Sequence, residues 1–481
     1  MRVLEHLEPK AVFHYFEDLT QIPRPSGNTK AVSDYCVAFA KAHGLRCIQD
    51  NVNNVVIFKP ASSGYEAAPA VMLQGHLDMV AEKDPDSPVD PAVQPLELHI
   101  DGDSIYARGT TLGGDDGIAV AMALAVLADD TLPHPAIEAV FTVDEEVGMD
   151  GAAALDPAPL TARRLLNIDS EDEGILTVSC AGGVRANCEI PVHTAPCALS
   201  GWTLTIDGLT GGHSGTEINK GRANSNLLTG RLLRMLKNAD AQLRLVSVRG
   251  GLKDNAIPVS TTAVVGLAPQ TDAAAIAAQL ESALKNEYAA ADAGVRVRAE
   301  ACGTLCLAMD ADSTGRVLDF LSLAPDGVQA MSMDIAGLVQ TSCNLGILDT
   351  QDGRVTACSA IRSSIASQKE ALYDRFAALC ARLGGSVHPT GDYPGWAYLR
   401  DSALRDTMVQ VFTEQYGRAP KVEAIHAGLE CGLLAGKLDG LDAVSFGPDL
   451  TDIHTTRERM SISSVQRTWT YLCEILRRLD R

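Results

Sequence analysis

Two hydrophobic periodicities alternate along the first 183 residues. Apolar positions with helical spacing run through Thr29–Ala42 and Gly117–Ala128, and short strand-like runs occupy Asn54–Lys59, Ala70–His76, Ala136–Asp144 and Leu165–Ser170. This alternation predicts an α/β layer in which helices flank a central, largely parallel sheet. The run Ile118-Ala-Val-Ala-Met-Ala-Leu-Ala-Val-Leu-Ala128 is apolar all round, which suits a buried helix. It is roughly half the length a bilayer demands.

From residue 184 to 392 the texture changes. Strands such as Gly201–Gly208, longer helices such as Asp272–Asn286 and a hairpin centred on Asp352-Gly353 predict an α+β domain. The strand-like Ala443-Val-Ser-Phe446 follows, and a last helix starts near Ser463 with Trp469, Leu472, Ile475 and Leu476 as its apolar face. The expected organisation is one domain built from residues 1–183 and 393–481, with a second, 184–392, inserted. A length of 481 residues is itself too great for one ordinary core.

Composition narrows the choice of partners. Against 40 basic residues stand 61 acidic ones, a formal charge of -21 that repels nucleic acid and anionic membrane and leaves a small molecule or peptide as the better substrate. Twelve cysteines without a CxxC pair fit reduced thiols. The first residues include Arg2, Glu5 and Glu8 and hold no apolar core of signal-peptide length, so a cytoplasmic location is expected.

Acids and histidines sit where the strand-like runs end. His76 and Asp78 are two apart, so on an extended backbone both point to one side, and the carboxylate can accept the second N–H of a metal-binding imidazole. Asp115 and Asp116 follow Gly113-Gly114 and precede the apolar helix; capping accounts for one acid, and the glycine pair permits a loop that aims a carboxylate outward. Glu145 and Glu146 end the strand Ile137–Val143, so one can bind metal while the other handles protons. Asp169 ends another strand, with Glu171, Asp172 and Glu173 crowded behind it, and His454 lies beyond Ala443–Phe446. Two histidines with three or four carboxylates and no cysteine suit zinc, cobalt or manganese. A pair of such ions about 4 Å apart performs amide hydrolysis.

In this order, together with Ile22-Pro-Arg-Pro-Ser-Gly27 and Ile453-His-Thr-Thr-Arg-Glu-Arg459, the motifs resemble metallopeptidase family M20 over essentially the whole chain. Within that family they resemble the aminoacyl-histidine (Xaa-His, or β-alanyl-histidine) dipeptidase subgroup. The resemblance implies a zinc pair in each subunit, with cobalt or manganese as substitutes. His76 and Asp169 would hold one ion, Glu146 and His454 the other, and Asp115 would bridge them. Asp78 would orient His76 and Glu145 would be the general base. The Asp115–Asp116 peptide is typically cis in such enzymes, and Gly114 stands where related chains often carry alanine.

By the same resemblance the inserted domain would be a lid carrying homodimer contacts. His213, in Gly211-Gly-His-Ser-Gly215, would stabilise the substrate oxyanion, and Asn255 and Arg362 would hold the substrate's carboxylate or backbone. His426, Gly428 and Glu430 would line the pocket, Glu430 capturing a free amino group; the alternative is a helix N-terminus packed beneath the sheet. The rival readings are an acyl-amino-acid deacylase of the same fold and a binding module without turnover. A two-metal phosphoesterase lacks support, because no phosphate-cradling glycine loop accompanies the acids.

Overall fold

The structure is a computed structural model that describes residues 2–479. It divides into two compact units. The first comprises Met1–Cys180, Tyr398–Ala424 and Leu429–Arg481; the second comprises Ala181–Ala397 with the short segment Ile425–Gly428.

In the first unit, helices α1 (Lys10–Thr20) and α2 (Lys30–Ala42) precede strands β1 (Arg46–Gln49), β2 (Val55–Lys59) and β3 (Val71–His76). A small hairpin, β4 (Leu98–Asp101) and β5 (Ser104–Ala107), leads to helix α3 (Gly114–Ala128), whose regular backbone starts after non-helical Asp115 and Asp116. Strand β6 (Ile137–Thr142), helix α4 (Asp150–Ala154) and strands β7 (Arg164–Asn167) and β8 (Ile175–Cys180) complete this stretch.

The second unit runs β9 (Gly182–Pro191), β10 (Thr194–Asp207), α5 (Ser225–Ala239), β11 (Arg244–Gly250), β12 (Thr261–Leu267), α6 (Ala273–Glu287) and β13 (Arg296–Met309). It continues through α7 (Ala311–Leu323), β14 (Gly327–Met331), β15 (Val339–Gln351), β16 (Arg354–Ser363), α8 (Ala366–Arg382) and β17 (Ser386–Tyr393). The chain then adds α9 (Ala403–Tyr416), β18 (Lys421–Ile425), α10 (Glu430–Lys437), β19 (Asp442–Ser445), β20 (Leu450–Thr451), β21 (Arg459–Ser461) and α11 (Ile462–Arg478).

The main sheet of the first unit has the order β1-β2-β6-β3-β7-β19-β8-β18. Its centre is parallel: β6, β3, β7 and β19 all run the same way. The flanks are not, since β1–β2, β2–β6 and β19–β8 are antiparallel. The sheet is therefore mixed rather than largely parallel. The sequence pattern missed this because β1 and β2 are joined by a tight Asp50–Asn54 turn that only an antiparallel pair can use.

Every residue of β3 and of β6 is buried, which explains why these strands read as near-continuous apolar runs instead of alternating ones. Residues 117–127 of α3 are buried on all sides, as the helix apolar all round demands. In α11 the buried face is Ile462, Val465, Tyr471, Leu472, Ile475 and Leu476, and Trp469 is only half-buried, so Tyr471 takes the place expected for it. A separate four-stranded sheet, β20-β21-β5-β4, anchors the loop that carries His454.

The second unit contains the same motif twice. Strands β10, β11, β12 and β13 with α5 and α6 form a βαββαβ module ordered β13-β10-β12-β11, all antiparallel. Strands β9, β15, β16 and β17 with α7 and α8 repeat that order and pairing as β17-β9-β16-β15. The modules join edge to edge through β11 and β15, where Gly250 pairs with Leu348. Leu232, Leu236, Leu280, Leu284, Phe320 and Phe376, from all four helices, meet in one buried core.

Candidate active site

The four parallel strands of the main sheet end at one edge, where open α/β sheets bind their ligands. His76 is the last residue of β3, Glu145 and Glu146 follow β6, and Asp169 follows β7. Asp115 precedes the regular part of α3. His454 arrives differently: it lies in the loop between β20 and β21, nine residues past β19, with a left-handed φ of 60°. For a residue with a Cβ that backbone is uncommon, and such strain marks functional loops.

These side chains meet. The two oxygens of Asp115 divide between the two imidazoles, Oδ1 lying 3.0 Å from His76 Nε2 and Oδ2 3.0 Å from His454 Nε2. Asp169 Oδ1 is 3.7 Å from His76 Nε2, and Glu146 Oε1 is 2.9 Å from His454 Nε2. Asp78 stands on the other side of His76: its Oδ1 is 3.4 Å and its backbone carbonyl 3.1 Å from Nδ1. The Asp78 carboxylate also accepts from Ser26 Oγ at 2.7 Å and from the Glu145 and Glu146 amides at 3.1 and 3.3 Å, so it orients both the imidazole and the acidic turn. The Asp115–Asp116 peptide is cis. Asp116 accepts from the His76 amide at 3.1 Å. Gly75 makes room for it, since a Cβ there would lie 2.5 Å from Asp116 Oδ2.

The electrostatics match the geometry. Burial works against the Asp78 charge, but hydrogen bonds from His76, Ser26 and the Glu145 amide hold its carboxyl down at about 2. Burial pushes Glu145 up to about 8, His76 opposes this, and the neighbouring charges of Glu430, Glu146 and Asp115 add to it. Asp169 is likewise raised well above the usual carboxylate range by burial and by Asp116. The Asp115 and Glu146 carboxylates beside it lift His454 to about 10. Glu173, one of the acids crowded behind Asp169, is accounted for by a bidentate pairing with Arg467.

Acids so crowded that some resist ionisation are what divalent cations would relieve. The donors fit such ions: Asp115, Glu146 and His454 offer ligand atoms within 4.8 Å of one another, as do His76, Asp116 and Asp169, and His76, Glu145 and Glu146. Glu146 Oε1 is buried and makes no hydrogen bond despite its closeness to His454, as expected of two ligand atoms facing one point.

The second unit gathers a different set. Gly215 separates His213, Arg362 and His426: a Cβ there would lie 3.0 Å from His213 Cε1, 3.2 Å from Arg362 Nε and 2.4 Å from the His426 carbonyl. Asn255 shares a cavity of about 90 Å³ with Arg185, Asp254, Arg362 and Tyr393. Arg362 Nε is buried without a partner. Burial and the charges of Arg362 and His213 press His426 down to about 3, and its Nε2 bonds Ser342 Oγ at 2.7 Å, so this imidazole is neutral. Gly428 closes the same short segment.

Glu430 takes the second of its two expected places, a helix N-terminus packed beneath the sheet. It belongs to the first unit, is 0% exposed and starts α10, with Oε2 accepting from Gln74 Nε2 at 2.5 Å and Thr142 Oγ1 at 2.6 Å. It is a helix N-terminus packed against the sheet, and burial lifts its carboxyl to about 7. Conversely, Arg24, Ser26 and Glu458 had no individual role in the sequence reading, yet all three hold the loops of the site. Their only signal was membership in the two terminal motifs.

The model of peptidase family M20/M25/M40 matches residues 72–478. The chain belongs to that family. It is 36% identical over 487 residues to the cytosol non-specific dipeptidase of Escherichia coli (strain K12), covering 100% of this chain and 99% of that protein. The crystal structure of aminoacylhistidine dipeptidase from Vibrio alginolyticus matches with a TM-score of 0.93 at 35% identity, over 98% of this chain and 97% of that one. Aminopeptidase PepT from Bacillus cereus shares the fold, with a TM-score of 0.59, 16% identity and coverage of 99% and 100%. As an M20 member the chain is a metallopeptidase, a peptide hydrolase. Among its described residues no helix is long and apolar enough to cross a membrane.

Proposed function

We propose that this M20 peptidase is a cytoplasmic dipeptidase that uses two zinc ions, replaceable by cobalt or manganese, to hydrolyse Xaa-His dipeptides including β-alanyl-histidine. The observation that carries the metal reading is Asp115, whose two oxygens address two imidazoles at 3.0 Å each. His76 and Asp169 would hold one ion and Glu146 and His454 the other, with Asp115 shared between them. The names of both relatives support a dipeptide substrate; only that of the Vibrio protein points to histidine.

When bound, the ions supply Lewis acidity toward the scissile carbonyl and the attacking water. Glu145 takes the water's proton and delivers it to the leaving amine. Asp78 keeps the His76 proton on Nδ1, which leaves Nε2 as the ligand atom. His213 donates to the carbonyl oxygen as negative charge develops, and Asn255 and Arg362 grip the peptide's carboxylate. His426 and Gly428 line the pocket. The second unit acts as a lid. It also supplies homodimer contacts; its exposed edge strands β13 and β17 are the candidate surfaces, because the β11 and β15 edges are already joined within the chain.

Metal analysis and a substrate panel test the reading. Two ions per chain, with β-alanyl-histidine and other Xaa-His dipeptides cleaved faster than other dipeptides, are expected. Turnover of N-acetyl amino acids in place of dipeptides would replace the reading with a deacylase.

A further inference from the structure

Two buried charges beside the candidate metal residues bind only backbone. Arg24 is 1% exposed and Glu458 2%. Glu458 Oε2 accepts from the amides of Leu112 and Gly113 at 2.7 and 3.0 Å, and Oε1 from those of Gly114 and Asp115 at 2.8 and 3.4 Å. One carboxylate thus gathers four successive N–H groups, ending at the residue placed between the two histidines. Arg24 works on the same loop with the opposite charge. Its Nη2 donates to the Gly113 carbonyl at 2.5 Å, and its Nη1 donates to the carbonyls of Leu77 and Asp78, both at 2.8 Å.

The sequence positions make this pairing more than loop closure. Glu458 stands four residues beyond His454 in the β20–β21 loop, so its carboxylate ties the segment that carries His454 to the one that carries Asp115. Arg24 ties that second segment to the turn after His76. Three segments distant in sequence are thereby fixed relative to one another. Burying a charge costs several kcal/mol unless hydrogen bonds compensate it, and here the backbone groups of the loops supply those bonds. The loop is also closely fitted: Gly113 has φ +66°, and a Cβ there would lie 2.6 Å from Arg24 Nη2 and from Met79 Sδ.

We infer that Glu458 and Arg24 are positioning residues of the metal centre, which aim the Asp115 carboxylate at both metal sites while touching neither ion nor substrate. The inference rests on the two-metal reading above. Outer partners of this kind typically contribute about 10–100-fold in metal affinity or activity.

The test compares the parent with Glu458→Gln, which keeps the size but sets an amide donor against N–H donors. Zinc affinity is measured by chelator competition, the site's geometry by the visible absorption of the cobalt-loaded protein, and catalysis as kcat and KM separately. Glu458→Gln is expected to weaken zinc binding by about 10–100-fold, to shift the cobalt spectrum, and to lower kcat with KM unchanged. A variant that folds, binds zinc as the parent does and gives the parent's cobalt spectrum overturns the proposal. If the variant does not fold, hydrogen exchange in the metal-free parent decides: the amides of residues 112–114 should be protected without zinc, and rapid exchange there overturns it. A parent that binds no zinc instead sinks the functional reading, and the exchange experiment still reports on the clamp.

Discussion

At the scale of single residues, chemistry depends on which neighbours a side chain acquires. Glu145 carries a carboxyl lifted by burial and placed beside the Asp78-held turn, so Glu145→Ala should lower kcat by roughly 10²–10⁴-fold while zinc stays bound. Parent-like turnover would remove Glu145 as the base. His426 is a residue-scale test of burial. Its folded pKa of about 3 lies below the unfolded value near 6.5, so the folded state binds fewer protons and the contribution is present above pH 6.5 and lost as pH falls toward 3. Unfolding measured from pH 8 to 4.5 should show roughly 2–3 kcal/mol of lost stability in the parent that is missing in His426→Gln. Glu430 shows the limit of reading residues singly. In the sequence it is an acid four residues after His426 and two after Gly428; in the fold it faces Gln74 and Thr142.

At the scale of elements, the parallel order β6-β3-β7-β19 places strand ends that are far apart in the chain on one edge, and this is why the strand-end acids of the sequence were informative. His76 and Asp78 were legible because extended backbone has period two. His454 was legible as a residue but not in its setting, since a separate hairpin, not β19, delivers it. The loop before α3 is an element-scale constraint. Gly113→Ala meets both a left-handed φ and two contacts at 2.6 Å, so it should cost about 1–3 kcal/mol of stability and weaken zinc binding, read by denaturant unfolding and chelator competition. At Gly114 a Cβ would meet Leu450 Cδ2 at 3.0 Å, a flexible neighbour, and Glu458 Oε1 at 3.3 Å.

At the scale of the whole molecule, two units with separate cores make unfolding in more than one step the expectation. All five candidate metal ligands, with Asp78 and the base Glu145, lie in the first unit, so a chelator should lower only that unit's transition, by mass action on its bound ions. Calorimetry with and without chelator checks this; a shift of both transitions together would show that the units unfold as one. The doubled module of the second unit was not visible as a sequence repeat, because its symmetry lies in strand order and pairing, and one copy is inserted after the first strand of the other.

Local pattern alone showed that helices and strands alternate, that the texture changes after residue 183, and which acids and histidines stand at strand ends, because periodicity and turn chemistry act over a few neighbouring residues. Tertiary structure alone decided that the sheet is mixed, that Asp115 stands between His76 and His454, that Glu430 is enclosed, and that Arg24 and Glu458 hold the loops. The enclosure of Glu430, the approach of His454 to Asp115 and the Glu458 bonds depend on contacts across more than three hundred residues of chain, such as the Leu112 amide to Glu458. Their free energy comes from burial and from hydrogen bonds completed only once distant segments meet.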